Sequence, residues 1–123
     1  MKVLLSIKPK FVEDIFNGNK KFEYRKGIFI KPNIKTVVVY ATKPVGKIVG
    51  EFDIENIIKE HPKKLWEKTK DYSGISKVFY DCYFIDKDIG YAIQIKSLNK
   101  YSKPKCPHEM YVNFKAPQSF KYV

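Results

Sequence analysis

The sequence predicts a single α+β domain over residues 1–123: a small mixed or antiparallel β-barrel of five or six strands carrying two or three short helices. Three observations predict it. The length suits one domain with one core. Hydrophobic residues make up 44% and charged residues 30%, the balance of a folded water-soluble chain. Segments of strand period dominate and follow one another without regular helical crossovers, which argues against a doubly wound parallel sheet. No glycine-rich phosphate loop of either common kind is present.

The elements follow in order. Residues 3–8 form an apolar run, expected as the first strand of a cytoplasmic protein. The run is too short for a signal-peptide core, and no small-residue cleavage site follows it. Pro9 suits a first helical turn, and Phe11, Val12, Ile15 and Phe16 fall at helical spacing with Gly18 as the stop, so a helix is expected over 9–17. Phe22–Arg25 alternates, with the aromatics on one face and Glu23 and Arg25 on the other. Val37–Ala41 is a β-branched run typical of a strand buried on both sides. Residues 47–55 alternate as a half-exposed strand. Pro62 opens a second helix with Leu65, Trp66 and Thr69 on one side, and Ser76 caps a third carrying Phe79, Cys82 and Tyr83. Ile89, Tyr91, Ile93 and Ile95 give a long strand ending near Lys100. Residues 102–110 read as a loop, and residues 114–123 as a closing strand or tail.

The net charge of +11 favours polyanionic partners without naming one. The cations are spread along the chain rather than gathered in a tail. Of 24 basic residues only Arg25 is arginine, the one planar fork in a chain that otherwise uses lysine. Cys82, among Phe79, Tyr83 and Phe84, is expected to fill the core. With Cys106 it is too distant in sequence for a metal knuckle, and His61 and His108 belong to no metal or catalytic constellation. No metal, cofactor or membrane span is expected.

Gly18-Asn19-Lys20-Lys21-Phe22-Glu23-Tyr24-Arg25 is the one segment that looks arranged for chemistry. Three ionisable groups, Lys20, Glu23 and Arg25, lie within six residues and can hold one another's charge states while offering donors to an anion. On the residues alone, an ordinary surface Glu–Arg pair accounts for the pattern equally well.

Gly18-x-Lys20-x-x-Glu23-x-Arg25 resembles the G-x-K-x-x-E-x-R signature of the ASCH domain family, a relative of the PUA domain. Leu5-Ser6-Ile7-Lys8-Pro9 upstream resembles the family's first strand and helix. Downstream, Val39-Tyr40-Ala41-Thr42-x-Pro44, Lys47–Phe52, Leu65-Trp66, Gly90–Ile93 and Pro117–Phe120 extend the likeness over nearly the whole chain.

The resemblance implies a PUA-like barrel with a charged cleft that binds RNA or a modified nucleotide. It carries over Lys20, Glu23 and Arg25 as ligand-binding residues and Gly18 as a structural one. Ser6, Lys8 and Thr42 join the candidate site by neighbourhood, and Tyr40 and Tyr24 are candidates for stacking on a base. Two alternatives stand beside an RNA- or nucleotide-binding module. One is an enzyme acting on RNA or nucleosides with Lys20 and Glu23 as acid and base, of the ribonuclease or acetylcytidine amidohydrolase kind. The amidohydrolases have a threonine where this chain has Glu23, so their activity does not transfer. The other is a transcription-coregulator-like domain that binds protein partners.

Overall fold

The two apolar runs pair directly with each other. In the computed structural model, which describes residues 1–123, β1 (Val3–Ile7) lies parallel to β3 (Thr36–Ala41), with Val3 opposite Val37 and Ile7 opposite Ala41. Both strands are buried on both faces. Val3, Leu5, Ile7, Val37 and Val39 pack with Val12 and Ile15 of α1 (Pro9–Phe16), whereas Leu4, Val38 and Tyr40 pack with Ile48 and Phe114 on the other side. An uninterrupted β-branched run is the sequence mark of such double burial.

β4 (Lys47–Glu60) and β5 (Gly90–Lys105) are the long members, paired antiparallel from Ile48–Lys105 to Glu60–Gly90. Their register slips three times along that length. Each irregularity bends and twists the pair, which curls the sheet instead of leaving it flat. β2 (Phe22–Arg25) adds to β5, and β6 (Phe120–Tyr122) adds to β1, both antiparallel. The sheet order is β2-β5-β4-β3-β1-β6. The result is a mixed six-stranded half-barrel with β2 at one end and β1–β6 at the other.

The chain between β4 and β5 supplies a second layer. α2 (Pro62–Thr69), a 3₁₀ turn (Lys70–Tyr72) and α3 (Lys77–Tyr83) bring Leu65, Tyr80 and Phe84 against Phe22, Tyr24 and Ala92. Ser76 caps α3 by accepting from the Phe79 N–H at 3.1 Å, as its place before the helix predicts. Gly18 ends α1 at φ +87°, a conformation that costs other residues more.

Several expectations need correction. β5 runs to Lys105, five residues past its predicted end, and residues 107–110 form a short helix, α4 (Pro107–Met110), rather than loop. β6 occupies three residues of the segment expected as a closing strand or tail. Cys82 is exposed: α3 turns Tyr80 inward and Cys82 outward, so this thiol fills no core. The Glu23–Arg25 face of β2 is buried too, although its alternation alone suggests an open face. No helix is long and apolar enough to cross a membrane.

Candidate functional site

β2 and β1–β6 are the two ends of the sheet order, and one side chain joins them. Arg25 on β2 donates from Nη2 to the Glu23 carboxylate at 2.7 Å and to the Ser6 carbonyl of β1 at 3.0 Å. From Nη1 it makes longer contacts with the Ser119 carbonyl (3.5 Å) and hydroxyl (3.4 Å), just before β6. A planar fork can serve several acceptors in one plane, and lysine's ammonium cannot do so in this geometry. Arg25 is thus the stitch across the open seam. Its Nε–H is buried without a partner, while Ser6 Oγ closes the same corner by donating to the Pro117 carbonyl at 2.7 Å.

A half-open cavity of about 560 Å³ lies against this seam, within the usual size range of small-molecule sites. Ser6 of β1 with the adjoining Lys8, Phe11 from α1, Lys20 and Glu23–Lys26 from the β2 region, Phe79 and Tyr83 from α3, and Ser119 before β6 supply its main walls. Lys8, Lys20, Arg25 and Lys26 surround a single carboxylate, Glu23, so the lining is net positive. Aromatic faces complete it, and the cations lie over them. Lys8 Nζ is 5.7 Å from the Phe79 ring centre and Lys26 Nζ 4.7 Å from that of Tyr83.

Lys20 is the deepest cation, 2% exposed. Its Nζ donates to the Ser73 carbonyl at 2.7 Å and lies 4.8 Å from the Tyr24 ring and 5.3 Å from Phe11. Burial pulls its pKa below the ordinary lysine value, and the nearby Glu23 and Asp14 carboxylates oppose that pull. Gly74, at φ +68°, makes the position possible: a Cβ there would stand 2.5 Å from Lys20 Cβ and 2.6 Å from its Cγ. The Tyr24 hydroxyl shares a 2.7 Å hydrogen bond with Thr69, and burial raises its pKa to about 12. Burial likewise raises the Tyr83 phenol, which donates to the Tyr24 carbonyl at 3.2 Å.

The structure brings Ser6, Lys8, Lys20, Glu23, Tyr24 and Arg25 together around the cavity and leaves Tyr40 and Thr42 outside it. Tyr40 is 5% exposed on the opposite face of β3, its ring 5.4 Å from Phe114. Thr42 shapes the turn after β3, donating its N–H to the Ile7 carbonyl and accepting from the Val45 N–H. Sequence reasoning missed Phe11, Lys26, Phe79, Tyr83, Gln118 and Ser119 as site residues. Phe79 and Tyr83 carried a usable signal, since their i, i+4 spacing puts both on one face of α3. Gln118 and Ser119 carried none that composition or period could supply. No three His, Cys, Asp or Glu side chains come together in a group able to hold a metal.

The ASCH domain family model matches residues 5–106. A large ribosomal subunit protein uL22 of Ureaplasma parvum is 34% identical over 125 residues, spanning 98% of this chain and 39% of that protein. An ATP synthase subunit alpha of the same species is 32% identical, over 98% of this chain and 15% of its own length. The chain therefore corresponds to well under half of either relative. An ASCH domain-containing ribonuclease of Zymomonas mobilis is 24% identical and is matched over 84% of its length. The crystal structure of ASCH from Zymomonas mobilis shares the fold, with a TM-score of 0.91 at 25% identity over 99% of this chain and 87% of that one.

Proposed function

The chain belongs to the ASCH domain family, and from that premise we propose that it is an RNA-binding module whose seam cavity takes an unpaired nucleotide. The observation that carries this reading is the pairing of cation and ring at the cavity wall. Lys8 lies over Phe79 and Lys26 over Tyr83 in a cavity with four cations and one carboxylate. A nucleotide presents the matching pair, a flat base to stack and a phosphate to neutralise. Arg25 and Glu23 hold each other and the seam, so they shape the pocket. Lys20, Lys8 and Lys26 supply the charge that meets the phosphate.

The test uses two variants at side chains the fold does not depend on. Phe79 is 40% exposed and Lys8 is exposed, so Phe79→Ala and Lys8→Gln leave the domain folded. Fluorescence anisotropy with a short single-stranded RNA should show both binding more weakly than wild type. Unchanged affinity in both would overturn the reading.

A second reading rests on Lys20, whose lowered pKa suits a proton-transfer group, and on the relative named a ribonuclease. Here neutral Lys20 would take the proton of an RNA 2′-hydroxyl while the 2′-oxygen bonds to the adjacent phosphorus and the phosphorus–5′-oxygen bond breaks, the departing 5′-oxygen taking a proton from water to leave a 2′,3′-cyclic phosphate and a 5′-hydroxyl. Cleavage would then rise with pH, stop when the 2′-hydroxyl is replaced by hydrogen, and vanish in Lys20→Met. An RNA left intact by wild type from pH 6 to 10 would remove this reading and leave the binding module standing.

A further inference from the structure

The acidic and basic residues are not mixed evenly in this chain. Four stretches, 1–12, 24–50, 89–108 and 110–123, hold 15 of the 24 basic residues and none of the 13 acidic ones. The strand register brings parts of three of them to one edge of the sheet. Ile7 at the end of β1 is opposite Ala41 at the end of β3, Ala41 is opposite Lys47 at the start of β4, and Ile48 is opposite Lys105 at the end of β5. Lys8 follows Ile7, and Lys43 lies in the turn between β3 and β4. Lys8, Lys43, Lys47 and Lys105 are all exposed, and none forms an ion pair. Elsewhere on the surface, Lys2, Lys68, Lys70, Lys77 and Lys96 each have a carboxylate within reach, whereas others such as Lys10, Lys63 and Lys100 have none.

This row begins inside the cavity, because Lys8 is one of its wall residues. It then crosses three strand spacings, a reach of about 15 Å. Resting on the reading of the cavity as a nucleotide site, we propose that Lys43, Lys47 and Lys105 form a phosphate track continuous with it, so that the ligand is a single-stranded RNA several nucleotides long and not a free nucleotide. One unpaired nucleotide enters the cavity. Phosphates on one side of it pass Lys8 and run over the ends of β3, β4 and β5. A duplex does not fit this path, since the nucleotide in the cavity must be unstacked and unpaired.

The test compares fluorescein-labelled RNAs of two, four and eight nucleotides on wild type, on Phe79→Ala, and on the triple variant Lys43→Gln, Lys47→Gln, Lys105→Gln. Anisotropy is read from 0.05 to 0.5 M salt. Wild type should bind the octamer far more tightly than the dinucleotide. The triple variant should keep wild-type dinucleotide affinity yet bind the octamer about 100-fold more weakly at 0.1 M salt, with a salt slope smaller by about 2, as three lost phosphate contacts require. Triple-variant affinities equal to wild type at every length and salt would overturn the track. If Phe79→Ala still weakens binding in that case, the cavity reading survives alone. A triple variant that loses octamer affinity while Phe79→Ala costs nothing would place RNA on the strand ends and overturn the continuity with the cavity. Equal binding of an RNA duplex would overturn the single-stranded path.

Discussion

Replacing Arg25 with methionine tests whether the seam depends on one side chain. The substitution keeps a flexible stem of similar reach and removes the guanidinium. It deletes the 2.7 Å bond to Glu23 and the 3.0 Å bond to the Ser6 carbonyl, together with the longer contacts to Ser119. Glu23 then remains as a carboxylate whose side chain is only 8% exposed. Removing one partner of a buried pair costs about 3–5 kcal/mol, against about 1 kcal/mol or less for an exposed pair. For a domain of this size that is a fall in melting temperature of roughly 10–20 °C. Urea unfolding of Arg25→Met, Glu23→Gln and the double variant completes a thermodynamic cycle. The double variant should be less destabilised than the sum of the singles, because the neutral amide that replaces the Glu23 carboxylate no longer leaves a buried charge alone. A loss below about 1 kcal/mol for Arg25→Met, or additive singles, would refute the seam argument and return the pair to the ordinary surface kind.

Three further outcomes follow from the same geometry. Gly74→Ala places a Cβ against the Lys20 stem at a positive φ, and should cost about 2–4 kcal/mol in chemical denaturation, from backbone strain and overpacking together. Phe79→Ala should change stability by less than about 1 kcal/mol but weaken RNA binding by about 1–3 kcal/mol, the worth of one stacked base, read by anisotropy. Lys20 gives a pH signature. Its pKa is lower folded than unfolded, so the cost of burying its charge is fully present below the folded value and relaxes as pH rises from there towards that of a free lysine. Measured against Lys20→Met, wild type should gain relative stability on going from pH 7 to pH 10; a constant difference would contradict the burial.

Most of the strand framework was legible because period and β-branching report burial directly. Val37–Ala41 announced two buried faces, and the alternation after Lys47 announced one. The limits of β5 were not legible, since its far end owes its strand form to pairing with Ile48 and Gly50 on β4, a contact distant in sequence. Cys82 misled because apolar neighbours in sequence do not fix which way a helix face turns. The cluster of Lys20, Glu23 and Arg25 was visible as a motif, but its burial was not. For Glu23 and Arg25 that burial comes from β1 and β6 arriving from the far end of the sheet order, and no local pattern encodes the meeting. The same reason hides Ser119.

The similarity to two differently named Ureaplasma parvum proteins bears on where the chemistry resides. The chain matches 39% of one and 15% of the other, so the name of neither whole protein carries over to it. A site that depended on the remainder of either protein would be incomplete here. The cavity is lined from Ser6 to Ser119 without outside help, Lys20 is fixed by Ser73 and Gly74, and the seam is closed by a guanidinium from the same chain. Every residue that frames the proposed site lies within this chain. The lysine row has the same self-sufficiency, because its members are placed by the register of four neighbouring strands. A cavity alone would suit any small anion. A cavity opening onto a row of cations suits a polyanion with one residue to insert, and the dependence of affinity on RNA length separates the two.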